Sequence, residues 1–362
     1  MRKIGIDARL YFQTGVGVYI RNLIHYLGKM DLKEIFYIYL MDEDKGKINF
    51  NNKNFTASYV SYSWHGLGEQ TGFYKKLLED NLDLMHFTYF SYPILYRDKF
   101  IATVHDLTPL LFKTGRASTK NSFYYQIKYF FFRQVLKSQI NNAQILITPT
   151  QAVKNQIVKI YGAKFEKKIY PVYEGVNYEL MTVKPSQSLK TKFNKDFFIY
   201  VGNFYPHKNV GKLIEAFSLI KKDISLILIG PNDYFCQGIR ELIVKLNQQK
   251  RVIIYDNATL SDLVFFYQNA KALIHPSLSE GFGLPLIEAL YFKLAVIASD
   301  IPVFAEILDN QYLKFNPNNT GDIVNKINLF LEKKPVFKID SLVKRYSFEK
   351  MAGEVYSLYN KA

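Results

Sequence analysis

The residues best suited to chemistry are two glutamates with seven residues between them, Glu280 and Glu288, enclosing Gly281, Phe282, Gly283, Leu284 and Pro285. An apolar run, Ala272-Leu273-Ile274-His275, and a Pro276-Ser277 turn precede them, so the stretch reads as strand, loop and helix. Glycines open backbone geometries closed to other residues, and Pro285 suits the first position of a helix whose opening turn also holds Glu288. Unpaired N–H groups and the positive end of the helix dipole favour an anion at that start. The carboxylates cannot hold phosphate but can accept hydrogen bonds from sugar hydroxyls. A diphosphate flanked by two sugars is a nucleotide sugar. The competing reading is an ordinary tight strand-to-helix turn.

Three further loops carry candidate groups. Tyr200-Val201-Gly202-Asn203-Phe204-Tyr205-Pro206-His207-Lys208 ends a strand in a glycine loop and sets Lys208 beside the next helix. An ammonium there can meet diphosphate through charge-assisted bonds and stabilise it as a leaving group, or can be an ordinary solvated lysine. Gln13-Thr14-Gly15-Val16-Gly17 follows the first strand and opens a helix, and on its own a G-x-G there reads equally as a plain turn. Thr103-Val104-His105-Asp106 puts a histidine and an acid just past a strand's carboxyl end. Asp106 could position an acceptor hydroxyl or cap the loop.

The glutamate pair around its G-F-G-L-P core resembles the signature of the retaining glycosyltransferases of family 4, which have the GT-B fold. The resemblance implies two Rossmann-like parallel-sheet domains facing each other across a cleft, with a C-terminal helix crossing back to the first domain. The final Y-S-F-E-K-M-A-G-E-V-Y is similar to that helix. Carried over residue by residue, Glu280 holds the donor hexose, Glu288 the ribose, and Lys208 the diphosphate. Gly202 and Asn203 belong to the family's V-G-x-x-x-x-x-K pattern. Gly281, Phe282, Gly283 and Leu284 line the donor, Gly15 and Gly17 match the first glycine loop, and His105 matches a residue facing the donor sugar. The implied catalytic set is Glu280, Lys208 and His105, with Asp106 as an acceptor-binding candidate. Many members have arginine where this chain has Asn203, so the usual two-cation clamp lacks a member. His207 or a group from the first domain could replace it. The resemblance further implies a same-face route, in which the departing phosphate takes the acceptor's proton.

Short β-branched and aromatic runs alternate with amphipathic segments of helical length, the pattern of parallel sheets with crossover helices. Strands are expected at 3–6, 35–40, 83–87, 100–104 and 145–148, then at 197–202, 225–230, 252–255, 272–275, 295–298 and 312–315. The polar stretch Val183 to Lys190 reads as a linker. The expected domains are 1–182 with the terminal helix 346–362, for the acceptor, and 183–345, for the nucleotide sugar. Ser347 is a candidate cap of that helix.

At 362 residues, 48% hydrophobic and 16% aromatic, the chain can fill two cores. Cys236, the only cysteine, excludes an internal disulfide and any metal site built on several cysteines. Asp42-Glu43-Asp44 lies in a charged loop and reads as a solvated turn, so no metal and no cofactor is expected. Asp7 and Arg9 break the first apolar run, which therefore reads as a strand and not a signal peptide, and no window suits a membrane span. The expected location is cytoplasmic, peripheral on the inner face of the membrane. Net charge is +15, and residues 101–195 hold 15 Lys or Arg against four acids. Within them Phe123 to Lys137 mixes aromatics with Lys128, Arg133 and Lys137, as a core helix or as one resting on anionic lipid.

These features lead to the expectation of hexose transfer from a UDP- or GDP-sugar to a glycan in cell-surface polysaccharide synthesis, with a lipid-linked acceptor. A small sugar or sugar phosphate is the alternative acceptor. A basic nucleic-acid-binding protein is the alternative of another class, but no recognised nucleic-acid module is visible, and nucleic acid is not an expected partner.

Overall fold

The computed structural model describes residues 1–112, 122–333 and 335–362, with side chains at 122–125, 127 and 128 left out; Phe123 and Lys128 thus lie outside the described residues. The chain divides into two compact units. The N-terminal unit runs to Leu107, resumes with the helix Ser122–Asn142, continues to Glu174 and takes in Ser347–Ala362. The C-terminal unit holds Thr108 and the residues just after it, and Gly175–Tyr346.

The N-terminal unit is a seven-stranded parallel sheet: β1 (Lys3–Asp7), β2 (Ile35–Met41), β3 (Phe55–Val60), β4 (Leu84–Phe87), β5 (Phe100–Thr103), β6 (Ile145–Thr148) and β7 (Ile169–Pro171), in the order β3-β2-β1-β4-β5-β6-β7. Both edge strands, β3 and β7, were absent from the sequence expectation. Phe55–Val60 is only half covered, so it lacks the apolar run of a central strand, and β7 has three residues. The helix Phe348–Lys361 belongs to this unit and packs on Val16–Leu27. Ser347 caps it, accepting from Glu349 N at 3.2 Å. The Tyr359 hydroxyl meets His86 Nδ1 at 2.8 Å, and Arg2 Nη1 donates to the Tyr359 carbonyl at 2.8 Å.

The C-terminal unit is a six-stranded parallel sheet: β8 (Phe197–Val201), β9 (Ser225–Ile229), β10 (Val252–Tyr255), β11 (Ala272–His275), β12 (Ala295–Ser299) and β13 (Leu313–Phe315), in the order β10-β9-β8-β11-β12-β13. Phe198, Tyr200, Leu226, Leu228, Ile274 and Ile297 fill the core on one face of this sheet. In each unit the winding reverses once, between β1 and β4 and between β8 and β11. Such reversal points open a crevice at the strands' carboxyl ends, where ligands of doubly wound sheets bind.

Candidate active site

The topology brings the two strongest motifs together, because β8 and β11 are neighbours at the reversal point and each ends in one of them. Gly202 follows β8 with φ of +149°, and a Cβ there would lie 2.8 Å from the Tyr200 hydroxyl. That hydroxyl donates to the Asn203 carbonyl at 2.6 Å and fixes the turn. Asn209, itself left-handed at φ 57°, donates to the carbonyls of Pro276 and Pro317 at 3.2 and 2.8 Å. Leu278 N donates to the His207 carbonyl at 2.8 Å, so the two loops are stitched by backbone.

At their meeting, three donors converge on one oxygen. Glu280 Oε1 accepts from Lys208 Nζ at 2.6 Å, Ser277 Oγ at 2.8 Å and His275 Nε2 at 3.0 Å. Among the described residues Oε2 carries no hydrogen bond. Burial raises the Glu280 carboxyl, but the Lys208 charge and the bonds from His275 and Lys208 outweigh it and hold the group well below the ordinary carboxylate range. His275 is held in turn by a stacked Tyr200 ring, centroids 5.5 Å apart, and by the edge of Phe304. The carboxylate is therefore fixed and ionised, with one oxygen committed to the protein and one left over.

The helix Leu284–Tyr291 starts at Gly283, whose φ of +95° is left-handed and costly for other residues, and no side chain caps it. Pro285 has no N–H and Leu286 N donates to the Gly283 carbonyl at 2.9 Å, so among the described residues this start leaves the N–H groups of Gly283 and Leu284 without a partner. The Phe282 ring is buried against Tyr346, centroids 5.6 Å apart, so any role in binding falls to its main chain. Gly281 is buried and Leu284 half-buried. Glu288 lies on the buried face, its Oε2 accepting from the Tyr267 hydroxyl at 2.7 Å. His207 is buried, and burial and the Lys208 charge push its imidazole down to about 4. It is neutral at physiological pH and does not restore the second cation that Asn203 lacks.

In the N-terminal unit Gly15, with φ of +68° and open space around its Cβ position, begins the helix Val16–Leu27. Gly17 is required for another reason: a Cβ there would lie 2.6 Å from the Tyr11 carbonyl. His105 follows β5 with both ring nitrogens engaged, Nε2 at 2.9 Å from the Thr88 carbonyl and Nδ1 at 3.4 Å from Glu174 Oε1. Tyr19 packs edge-on against the ring, and Asp106 beside it is half-buried. Asp44 of the acidic turn is buried and paired with Lys47 at 3.1 Å.

Sequence reasoning passed over His275, Ser277 and Tyr267. The first two carried a usable signal, since both lie within five residues of Glu280 where β11 turns. Tyr267 comes from a different helix, Leu260–Asn269, and gave none.

The family described as glycosyl transferases group 1 matches residues 184–346, and glycosyltransferase family 4 matches residues 13–180. The O-antigen chain mannosyltransferase RfbU of Salmonella typhimurium is 30% identical over 70% of this chain and 71% of its own. Among solved structures, sucrose-phosphate synthase from Thermosynechococcus elongatus superposes with a TM-score of 0.79 at 17% identity, over 100% of this chain and 99% of its own. Anabaena HepE in complex with UDP and glucose superposes at 0.78 and 15% identity, over 100% of both chains. These two show the shared GT-B fold. Joined to the loop-and-helix geometry at the β8/β11 reversal, the matches place the chain in glycosyltransferase family 4, the group 1 glycosyl transferases, as a nucleotide-sugar-dependent glycosyltransferase.

Proposed function

We propose that the enzyme moves a hexose, with retention, from a UDP- or GDP-sugar to a hydroxyl of a growing, lipid-linked glycan in cell-surface polysaccharide synthesis. The similarity to an O-antigen mannosyltransferase makes mannose the first donor sugar to test and glucose the second. The observation that carries the reading is the convergence of Lys208, His275 and Ser277 on Glu280 Oε1, which leaves Oε2 as an acceptor for donor-sugar hydroxyls beside an uncapped helix start. The diphosphate lies between the Gly283 and Leu284 N–H groups of that start and Lys208, which has three N–H donors and need spend only one on Glu280. Glu288 takes the ribose hydroxyls.

Leaving-group stabilisation is the main catalytic lever. As the sugar–phosphate bond breaks, negative charge grows on the diphosphate, and the ammonium and the helix start meet it without reorganising. The departing phosphate oxygen takes the acceptor's proton on the same face, so the donor's configuration is kept. In the N-terminal unit, Gly15 and Gly17 give the acceptor side its close backbone approach, and His105, braced by Glu174, lines the sugar's path. Asp106 is the acceptor-binding candidate. No metal enters this scheme. The outward face of the helix Ser122–Asn142 carries Phe130 and Phe131, 57% and 61% exposed, with Arg133 and Lys137, a composition suited to anionic lipid where the acceptor is anchored.

The test is donor hydrolysis by the purified enzyme against UDP- and GDP-linked glucose and mannose, without added metal. One donor should be hydrolysed slowly, and Lys208→Ala should lower that rate by about 10²–10³-fold, the range seen when a preorganised transition-state donor is removed. No turnover and no nucleoside diphosphate binding under any condition would overturn the reading.

A further inference from the structure

Glu280 and Glu288 share one loop and helix but keep different company. Glu280 has a lysine, a histidine and a serine. Glu288, 7% exposed, has one hydrogen-bond partner among the described residues, the Tyr267 hydroxyl. Tyr267 is 1% exposed, and its ring lies almost parallel to that of Phe292, centroids 5.6 Å apart and planes 8° from each other. A ring with two torsions, buried and stacked, gives its hydroxyl little freedom to wander.

We propose that Tyr267 is a positioning residue of the nucleotide site, holding Oε2 of Glu288 so that Oε1 is presented to the ribose hydroxyls. The proposal rests on the reading of Glu288 as the ribose acceptor. A neutral donor orients the carboxylate without closing it into an ion pair, which a ribose hydroxyl would have to break. The absence of a cation has a consequence. Burial raises the Glu288 carboxyl to about 7, and the Tyr267 bond works in the opposite direction.

The titratable groups on the surrounding elements are His275 and Glu280 before the helix, Tyr291 on it, Asp262 and Tyr267 on Leu260–Asn269, and Asp340, Lys344 and Arg345 on the helix Asp340–Arg345 packed against it. Of these, Tyr267 is the group hydrogen-bonded to the Glu288 carboxyl. Glu288 therefore changes charge near neutrality, and its ionised form is the stronger acceptor for ribose. Loss of the Tyr267 hydroxyl raises the carboxyl further and moves that change to higher pH.

The experiment is calorimetric titration of UDP and GDP into wild type, Tyr267→Phe and Glu288→Gln between about pH 6 and pH 9, with the 2′,3′-dideoxy nucleotides in parallel. Tyr267→Phe keeps the stacked ring, and circular dichroism checks that it folds. If the carboxyl rises by about one unit, the variant binds about fivefold more weakly at pH 7 and within about twofold of wild type at pH 9. Donor KM should rise by the same factor at pH 7 with kcat nearly unchanged. A general packing defect would weaken binding equally at every pH. That result, or wild-type affinity throughout while Glu288→Gln and the dideoxy nucleotides bind poorly, overturns the role of Tyr267 and leaves the ribose reading standing. If Glu288→Gln and the dideoxy nucleotides bind as well as wild type and the parent compounds, the ribose reading itself fails.

Discussion

In the N-terminal unit the buried charges at the end of β1 close on one another. Arg9 is paired with Asp7 and Glu69, each at 2.7 Å, with its guanidinium over the Phe73 ring at 4.0 Å. Its Nη1 donates to the Tyr62 carbonyl at 3.0 Å, and Ser91 donates to Glu69 at 2.7 Å. In the C-terminal unit, at the equivalent reversal point, Glu280 keeps one oxygen open and Glu288 is paired with no cation among the described residues. Both sheets bury charge at their carboxyl ends, but the Arg9 cluster closes on itself and the Glu280–Glu288 segment leaves acceptors over. Removing a charge from water is costly, so a closed cluster serves the architecture, and an open carboxylate is what the proposed donor site requires. The Arg9 cluster pins the loop after β3, with its π-helical turn Glu69–Phe73, to the first strand.

The largest predicted effect tests the closed side. Arg9→Met leaves Asp7 and Glu69 buried without their cation, and breaking such a pair costs about 3–5 kcal/mol. The urea midpoint should fall markedly, whereas nucleoside diphosphate affinity, measured where the variant is still folded, should stay within about twofold. Unchanged stability would show that the cluster does not hold the N-terminal unit together. Lost affinity in the folded variant would break the division of roles between the two units.

Glu288 supplies the converse on the open side. Its carboxyl is raised in the fold from 4.5 to about 7, so the folded protein resists ionising it. Stability is thus lost as pH climbs from about 4.5 to about 7, and the full cost, on the order of 3 kcal/mol, is carried above that range. Glu288→Gln keeps the shape and removes the charge. Thermal melts at pH 8 should show the variant more stable than wild type, with little difference at about pH 5, while nucleotide affinity drops. An equal melting difference at both pH values would mean that the effect is not ionisation.

What could be read from the chain alone follows from how local each signal is. The G-F-G-L-P core, the V-G-x-x-x-x-x-K loop and the alternating strand and helix periods all act over fewer than about twenty residues, and β8, β11 and the helix Leu284–Tyr291 were legible for that reason. The closed cluster was not, because Glu69 lies 60 positions from Arg9 and its pairing needs the fold to exist first. Tyr267 and Glu288 meet between two helices, with no periodic relation to report them. His207 reads in sequence like a replacement cation, and it is burial together with the Lys208 charge, both set by the fold, that holds its imidazole neutral.

The smallest effect concerns charge turned outward. On the helix Ser122–Asn142, Leu136 and Ile140 are buried while Phe130, Phe131, Arg133 and Lys137 face water. Two exposed phenylalanines side by side add nothing to the core, and each could recover its hydrophobic energy in a lipid interface, with about 1 kcal/mol from each nearby basic residue on an anionic surface. Phe130→Ser with Phe131→Ser should lower partition onto vesicles containing phosphatidylglycerol by about tenfold, near 1.4 kcal/mol, without changing donor hydrolysis in solution. Raised salt should weaken the wild type through Arg133 and Lys137 and leave the Phe contribution in place. Equal binding to neutral and anionic vesicles would remove Arg133 and Lys137 from the contact, and no change in the double variant would remove this helix from membrane contact. Under the proposed function the acceptor would then come from solution, which favours a small sugar or sugar phosphate over a lipid-linked glycan.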